Sequence, residues 1–208
     1  MNSTEIETQA QTTNKDDRFE AMARWSNIPL VTSSTHLLMK FIPIAGTEGA
    51  YHAALDFISG KARHPFLTFF GGPGTGKTHL AIGISWHWLW NNLGLVKYFQ
   101  AESLLDDLRE GFTVSTDEQH YQFDEKMRRL KEVPLLILDD LGVEQSTEWA
   151  RAKLDEIIDY RYINRLHTVI TSNLAPSKLE PRVASRLQEG VTWILQCEDF
   201  RLKKETTK

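Results

Sequence analysis

The sequence predicts an α/β fold, a five-stranded parallel sheet with helices on both faces. Between residues 65 and 196, short apolar runs alternate with longer stretches of helical periodicity. The short runs are apolar at consecutive positions, which indicates strands buried on both faces and joined by crossover helices. A glycine-rich loop follows the first of these strands and opens a helix, as in sheets that bind phosphate at one edge.

Composition limits the class of protein. A chain of 208 residues with 41% hydrophobic residues allows one substantial domain. The net charge of −4 argues against a general nucleic-acid coat, and the single Cys197 excludes an intramolecular disulfide framework or a Cys-clustered zinc site. No apolar run is long enough to span a bilayer, and no signal peptide opens the chain, so we expect a cytoplasmic protein without membrane contact.

The segments at the two ends differ from the rest of the chain. Residues 1–18 are polar and predict a loose tail, and Asp16–Trp25 has the apolar spacing of a short helix. We therefore divide the chain into an arm over residues 1–25 available for a partner, a main domain over residues 26–200, and a basic tail over residues 201–208. The tail carries Arg201, Lys203, Lys204 and Lys208.

The elements between these segments follow from apolar runs, periodicity and Gly or Pro breaks. The predicted strands are Phe66–Phe70, Leu95–Phe99, Leu135–Leu138, Thr168–Thr171 and Val191–Gln196. The predicted helices are Ala50–Ser59, Lys77–Asn92, Ser103–Glu110 ended by Gly111, residues 117–131, Thr147–Arg165 and Pro181–Gln188. Trp86, Trp88 and Trp90 fall on the helix after the glycine-rich loop, where we expect mostly core or subunit-interface positions.

The glycine-rich loop has the pattern GxxxxGK followed by Ser or Thr. Glycines leave backbone N–H groups open to a polyphosphate, and the following helix adds its positive end. Lys77 can reach the β- and γ-phosphates of ATP, and the Thr78 hydroxyl can ligate Mg²⁺. The alternative is a turn with a solvated lysine. The expected nucleotide-binding residues are Gly71, Gly72, Pro73, Gly74, Thr75, Gly76, Lys77, Thr78 and His79.

Two acids follow the third predicted strand. Asp139 and Asp140 come directly after Leu135–Leu138, at the strand edge where doubly wound sheets bind ligands. Asp139 would hold Mg²⁺ through a water, and Asp140 would orient or deprotonate the attacking water. The alternative is a pair of acids in a strand-end turn.

Polar residues also end the fourth predicted strand. Asn173, or in second place Ser172, can sense the γ-phosphate or position the attacking water from this adjacent strand. The alternative for Asn173 is a capping residue before Leu174-Ala175-Pro176.

These motifs, in this order, resemble the AAA+ ATPases, a class of P-loop NTPase. The resemblance is closest to the bacterial helicase loaders of the DnaC and DnaI type and to the transposition ATPase IstB, and it covers about residues 26–196. The matching stretches are GGPGTGKTHLA (71–81), LLILDDLGVE (135–144), Tyr160-Arg161 with Thr168–Asn173, Arg182-Val-Ala-Ser-Arg186-Leu187, and Asn27-Ile28-Pro29.

The resemblance implies that an arginine acts in a neighbouring subunit. Arg182 and Arg186 lie four residues apart, so a helix would present them on one face. In AAA+ proteins an arginine from this region stabilises the phosphoryl group transferred in the adjacent subunit. We expect Arg186 to be this finger and Arg182 to shape the interface, in a homo-oligomeric ring or spiral. Two ordinary surface arginines are the alternative.

The resemblance also implies a contact with single-stranded DNA, made by the extra helix after the second strand. The equivalent region, Thr113–Glu132, mixes aromatic and basic residues, as backbone tracking with base stacking requires. A solvated helix is the alternative, since acids occur in the same region. The candidate contacts are Tyr121, Phe123, Lys126, Arg128, Arg129 and Lys131.

Three functions remain open. The first is an ATP-dependent helicase loader that binds single-stranded DNA and delivers or remodels a replicative helicase. The second is an IstB-like transposition ATPase on duplex DNA, and the third is a nucleotide-gated scaffold with little turnover.

The chain departs from the pattern of these families in three ways. Little sequence precedes the domain, where loaders usually carry a sizeable N-terminal domain, so helicase contact would be made by Asp16–Trp25. No C-terminal helical lid of the kind found in most AAA+ proteins is expected, a lack that the loaders share, and Asp140 stands where Glu is commoner, so hydrolysis would be slow.

Overall fold

The computed structural model describes residues 21–29, 37–112, 117–142 and 147–200. Residues 21–25 are helical, in agreement with the predicted Asp16–Trp25 helix, whose first half lies outside the described residues. The polar segment 1–18, the basic tail 201–208 and the start of Thr113–Glu132 also lie outside them.

The sheet is parallel and five-stranded, as predicted. Its spatial order is β2-β3-β4-β1-β5, so β1 lies between β4 and β5, and β4 lies between β1 and β3. Of the central strands, β3 is buried at every residue, and β1 and β4 at all but one end residue, which explains their largely apolar sequence. The strands are β1 (Phe66–Gly71), β2 (Val96–Gln100), β3 (Leu135–Asp139), β4 (His167–Ser172) and β5 (Val191–Leu195).

Helices cover both faces of this sheet. They are α1 (Glu48–Ile58), α2 (Lys77–Trp90), α3 (Ala101–Phe112), α4 (Asp117–Glu132), α5 (Glu148–Ile163) and α6 (Pro181–Glu189), with short 3₁₀ turns at Leu38–Lys40 and Pro176–Lys178. None of the helices in the described parts of the chain is both long enough and apolar enough to cross a membrane.

The core consists of two apolar layers separated by the sheet. Successive strand residues alternate between the layers because side chains point to opposite faces: Leu67 and Phe69 pack with α1 and α2, whereas Phe66 and Phe70 pack with α3 to α6. Trp86 and Trp88 are buried in the first layer, as expected, and Trp90 is 45% exposed.

Several helix ends differ from the predicted ones by one or two residues. The helix predicted to stop before Gly111 continues to Phe112, because one glycine costs a helix only about 1 kcal/mol. The helix predicted to reach Arg165 stops at Ile163. Arg165 adopts a left-handed conformation, and the Leu166 N–H donates to the Arg161 carbonyl, which closes the helix without glycine.

Arg161 ties three elements together from inside the core. Its side chain is fully buried on α5, and its guanidinium donates to the Thr168 hydroxyl and the His167 carbonyl in β4. The same guanidinium donates to the carbonyls of Leu130 and Lys131, in the last turn of α4, and of Val133, between α4 and β3. Burial lowers the pKa of Arg161 to about 9, so the group remains charged at neutral pH.

We expect Arg161→Met to lower the free energy of unfolding by about 3–5 kcal/mol, because buried carbonyls would lose their donor. Urea denaturation measures the change. Arg128→Met is the matched control, since the Arg128 side chain is 56% exposed and solvent screens its ion pairs on α4, so its loss should change the free energy of unfolding little. Equal losses in the two variants would contradict a structural role for Arg161.

Candidate nucleotide site

The glycine-rich loop joins β1 to α2 at the carboxyl edge of the sheet. Gly76 precedes α2 with φ of 98°, and a Cβ there would lie 2.8 Å from the ring of Phe41. The left-handed backbone and the close ring both require glycine at this position. The loop therefore delivers Lys77 and Thr78 to the first turn of α2, the end of a helix that attracts anions.

Lys77 is held over the loop by acceptors from two strands. The side chain is only 4% exposed. Its Nζ donates to the carbonyls of Gly71 and Gly72 at 2.9 and 2.7 Å and to Asn173 Oδ1 at 2.8 Å. An ammonium group has three donors, and each has an acceptor here. Phosphate oxygens of a nucleotide would therefore replace some of these acceptors, while the positive charge stays in place.

Asn173 connects the phosphate loop to the acidic pair. Its Oδ1 accepts from Lys77, and its Nδ2 donates to Asp140 Oδ1 at 3.0 Å. Asp140 has a left-handed backbone, and its N–H donates to the Thr171 hydroxyl. The predicted residues Lys77 at the start of α2, Asp140 after β3 and Asn173 after β4 thus form one continuous hydrogen-bonded chain.

Asp139 lies beneath this chain and is 1% exposed. Its Oδ1 accepts from the Thr171 hydroxyl at 2.5 Å and from the Thr78 hydroxyl at 3.1 Å, and its Oδ2 accepts from the Tyr98 hydroxyl at 2.7 Å. Burial and the neighbouring Asp139 carboxylate raise the pKa of Tyr98 far above its ordinary value, so this phenol stays a donor.

The Thr78 and Asp139 oxygens suit a magnesium ion. Mg²⁺ prefers oxygen ligands and is usually bound through one or two protein oxygens together with phosphates and waters. Thr78 Oγ1 and Asp139 Oδ1 are 3.1 Å apart at the mouth of the phosphate loop, which provides such a pair. In the described residues no group of three or more His, Cys, Asp or Glu side chains forms a separate metal centre.

Five of these residues, Lys77, Thr78, Asp139, Asp140 and Asn173, line one cavity of about 530 Å³, a size typical of small-molecule sites. Its rim includes the loop residues from Pro73 to His79 other than Thr75, the acids Asp139 and Asp140, and Asn173. Gln100, at the end of β2, and Phe200, beyond β5, complete the lining.

The remaining predicted loop residues play supporting parts. Thr75 is buried and its hydroxyl donates to the Gly72 carbonyl at 2.9 Å, which keeps the loop curled. His79 lines the cavity, and its Nε2 lies 3.2 Å from the Leu37 carbonyl. The second-place candidate Ser172 is fully buried and donates to the Leu141 carbonyl, so it braces the strand end while Asn173 faces the cavity.

Sequence reasoning did not identify Tyr98, Thr171, Gln100 or Phe200 as parts of the site. Tyr98 and Gln100 lie on β2, which the sheet order places beside β3, so the Asp139 partner could have been found only with the topology in hand. Thr171 and Asp139 also lie near the carboxyl ends of adjacent strands, β4 and β3, so this contact too depends on the sheet order. A polar residue close to the carboxyl end of a buried strand is the signal that could have identified Thr171.

Arg182 and Arg186 lie on α6, and neither lines the cavity of its own chain. Both contact Asp159 on α5: Arg182 Nη2 pairs with Oδ2, and Arg186 Nε lies 3.1 Å from Oδ1. The Arg186 guanidinium also packs 4.8 Å from the ring centre of Tyr162. The Arg182 side chain is 62% exposed and that of Arg186 is 29% exposed.

The proposed DNA-contact residues on α4 do not all reach the surface. Phe123 is 8% exposed and packs in the second core layer, because apolar periodicity turns it inward; the expectation that it contacts DNA is wrong. Tyr121 is 71% exposed. The basic residues are ion-paired: Lys126 with Asp107, Arg128 with Glu125 and Glu132, Arg129 with Glu125, and Lys131 with Glu156.

We expect Tyr98→Phe to lower the free energy of unfolding by about 1.5–3 kcal/mol, because buried Asp139 loses a charge-assisted hydrogen bond. Urea denaturation of the two proteins gives the difference. Tyr51→Phe is the matched control, since the Tyr51 hydroxyl has no hydrogen-bond partner within the described ranges; its change should stay within about 0.5 kcal/mol. A loss for Tyr98→Phe no larger than that of the control would refute this assignment.

Comparisons with known proteins agree with this geometry. The chromosomal replication initiator protein DnaA of Thermotoga petrophila is 30% identical over 172 residues, which cover 81% of this chain and 38% of that protein. The DnaC helicase loader has a TM-score of 0.66 and 25% identity over 79% of this chain and 98% of the loader chain. DnaA bound to AMPPCP and single-stranded DNA has a TM-score of 0.69 at 23% identity, over 83% of this chain and 54% of that chain.

These likenesses show a P-loop fold of the AAA+ type, and the chain spans well under half of the curated initiator. A profile of the IstB-like ATP binding proteins matches residues 8–181 of the 208. This protein therefore belongs to the IstB-like ATP binding protein family.

Proposed function

We propose that this protein binds and slowly hydrolyses Mg²⁺·ATP, and that hydrolysis is stimulated by assembly. The observation that supports this most directly is the hydrogen-bonded chain from Lys77 through Asn173 to Asp140 above the Thr78–Asp139 pair. ATP hydrolysis requires a phosphate contact, a metal site and a group that positions the attacking water, all around one cavity. Lys77, the Thr78–Asp139 pair and Asp140 would take these three roles.

The chain supplies each part of the reaction. The loop amides and Lys77 bind the phosphates, and Thr78 and Asp139 would hold Mg²⁺, which neutralises charge on the phosphoryl oxygens when bound. Asp140 orients the attacking water or takes its proton, and Asn173 holds the Asp140 carboxylate in place. Asp140 is shorter than glutamate, so we expect slow turnover.

An arginine from a neighbouring subunit completes the site in this proposal. Arg186 is the proposed finger and Arg182 the interface residue, and the fact that neither lines the cavity of its own chain supports action on another subunit. The surface pairs with Asp159 are worth only about 1 kcal/mol or less where solvent reaches them, so a triphosphate can displace them.

Mixing two inactive variants tests hydrolysis and the arginine together. We expect Lys77→Ala and Arg186→Ala each to lose nearly all ATP turnover, because one lacks the phosphate contact and the other lacks the finger. An equal mixture should regain activity, up to about a quarter of the wild-type rate for random assembly, since only an intact site beside an intact arginine is competent. Phosphate release measures the rate.

Arg182→Ala, mixed with Lys77→Ala in the same way, reveals which arginine acts across the interface. Wild-type turnover without recovery in either mixture would refute a trans arginine. Wild-type protein that binds ATP and never hydrolyses it would leave the nucleotide-gated scaffold as the function.

We further propose that the ATPase acts on single-stranded DNA to deliver or remodel a replicative helicase. A groove of about 450 Å³ between the β2 edge and α4 supports the DNA part. Its lining combines the cations Lys97, Lys126 and Arg129 with the exposed ring of Tyr121. The acids Asp107 and Glu125 line the same groove and pair with Lys126 and Arg129, so DNA phosphates would compete with them for these two cations. Burial and the neighbouring Arg129 and Lys126 lower the pKa of Lys97, as expected where cations converge.

The IstB-like profile favours a second candidate, a transposition ATPase assembled on duplex DNA. The two candidates differ in the form of DNA that they bind with ATP present. They also differ in the protein partner, a replicative helicase in one case and a transposase or similar effector in the other. The helicase contact would involve the segment Asp16–Trp25, for which the sequence predicts a helix.

We expect the full chain with Mg²⁺·ATP to bind single-stranded DNA more tightly than duplex and to co-purify with the replicative helicase of its own cell. The double variant Lys126→Ala/Arg129→Ala should weaken single-strand binding and reduce the salt slope by about 1.4, for two lost phosphate contacts. Fluorescence anisotropy at several salt concentrations measures both.

Lys61→Ala/Lys178→Ala is the matched control, because it removes two exposed charges that do not line this groove. Tighter binding to duplex, with no helicase captured, would favour the transposition ATPase. Equal effects of the two double variants would rule out the groove as the DNA site.

A further inference from the structure

Residues 197–200 follow β5 and lie across the phosphate loop; we name them the C-terminal strap. The Phe200 N–H donates to the Gly74 carbonyl at 3.2 Å, and Cys197 Sγ lies 3.8 Å from the Thr75 carbonyl oxygen. Asp199 packs so closely on Gly74 that a Cβ there would lie 1.7 Å from its Oδ1. Contacts of three of its four residues therefore fix the strap on the loop.

The strap contributes an aromatic side chain to the cavity. Phe200 lines it together with Pro73, and among the lining residues that the structure describes these two are the ones with purely apolar side chains. The other lining residues are glycines or carry polar groups, and they surround Lys77 and the Thr78–Asp139 pair. The cavity thus has a polar part and a small apolar wall.

A nucleotide has the same two-part character. Its phosphates need cations and N–H donors, whereas the base presents flat faces that gain free energy from aromatic or apolar contact. We propose that Phe200 contacts the nucleoside half of the bound nucleotide, so that the C-terminal strap recognises the part of the ligand that the phosphate loop does not. This inference rests on the proposed nucleotide binding.

Phe200 acts as a wall of the cavity and not as a plug. With its ring in place the cavity still measures about 530 Å³, inside the range for small-ligand sites. The backbone contact with Gly74 keeps the ring beside the loop, so little ordering is needed when a nucleotide enters. Removal of the ring should therefore weaken binding.

The position of the contact determines which ligands are affected. ATP and ADP carry the same nucleoside, so loss of the ring should weaken both by the same factor. Inorganic tripolyphosphate has no nucleoside and should bind the variant as it binds the wild type. Loss of Asn173, by contrast, should weaken ATP relative to ADP, because Asn173 is placed at Lys77 and Asp140.

The test is calorimetric titration of the full chain, with Mg²⁺, using ATP, ADP and tripolyphosphate in turn. We expect Phe200→Ala to weaken ATP and ADP about tenfold or more, the usual size of a lost base-stacking contact, and to leave tripolyphosphate within about twofold. Phe200→Tyr, which keeps the ring, should restore nucleotide affinity, and Phe200→Leu should restore it only in part. Ile163→Ala, which truncates an exposed apolar side chain away from the cavity, is the control.

Other results would overturn the inference. Unchanged ATP affinity in Phe200→Ala would show that the ring makes no contact, and tighter binding would show that it obstructs the cavity. Equal weakening of tripolyphosphate and ATP would show that the strap acts through the loop. Wild-type protein that binds none of the three ligands would refute the proposed function itself, whereas binding unaffected by Phe200→Ala would refute this inference alone.

Discussion

The bridge made by Asn173 is the interaction on which the site depends. A lysine that is 4% exposed needs acceptors, and a carboxylate beside it needs a donor; one amide side chain serves both Lys77 and Asp140. The bridge forms only because β4 lies between β1 and β3, with all three strands parallel, so that their carboxyl ends meet at one edge. The sheet order is therefore a condition for the chemistry.

Beneath that bridge, the fold uses a second set of polar contacts to support Asp139. Tyr98 and Thr171 come from the strands on either side of β3, and their hydroxyls fix the carboxylate that faces Thr78. A buried carboxylate without such donors would be costly, so these contacts serve stability and site geometry together. Arg161 plays a comparable part at the opposite end of the sheet, where it holds α5 to the starts of β3 and β4.

The sequence allowed the parallel sheet, its helices and the three strand-end motifs to be predicted, because each depends on local pattern: apolar runs, a glycine-rich loop, and acids or amides after a strand. The supporting residues could not be predicted in this way. Tyr98 reaches Asp139 across a strand pairing 41 residues apart in sequence, and Phe200 reaches the cavity from beyond β5. Phe123 shows the opposite error. An aromatic residue among basic residues suggests base stacking, but the side of α4 that carries Phe123 packs in the core.

The shared partner of Arg182 and Arg186 has a consequence for how subunits could join. Asp159 has two cations available and one negative charge, so withdrawal of either arginine toward another molecule still leaves the carboxylate neutralised by the other. The side chain of one arginine can thus move away from Asp159, and this carboxylate at the α5–α6 junction still has the other arginine as its ion-pair partner. The duplicated cation makes the junction tolerant of that exchange, because Asp159, whose side chain is 15% exposed, keeps one ion-pair partner throughout.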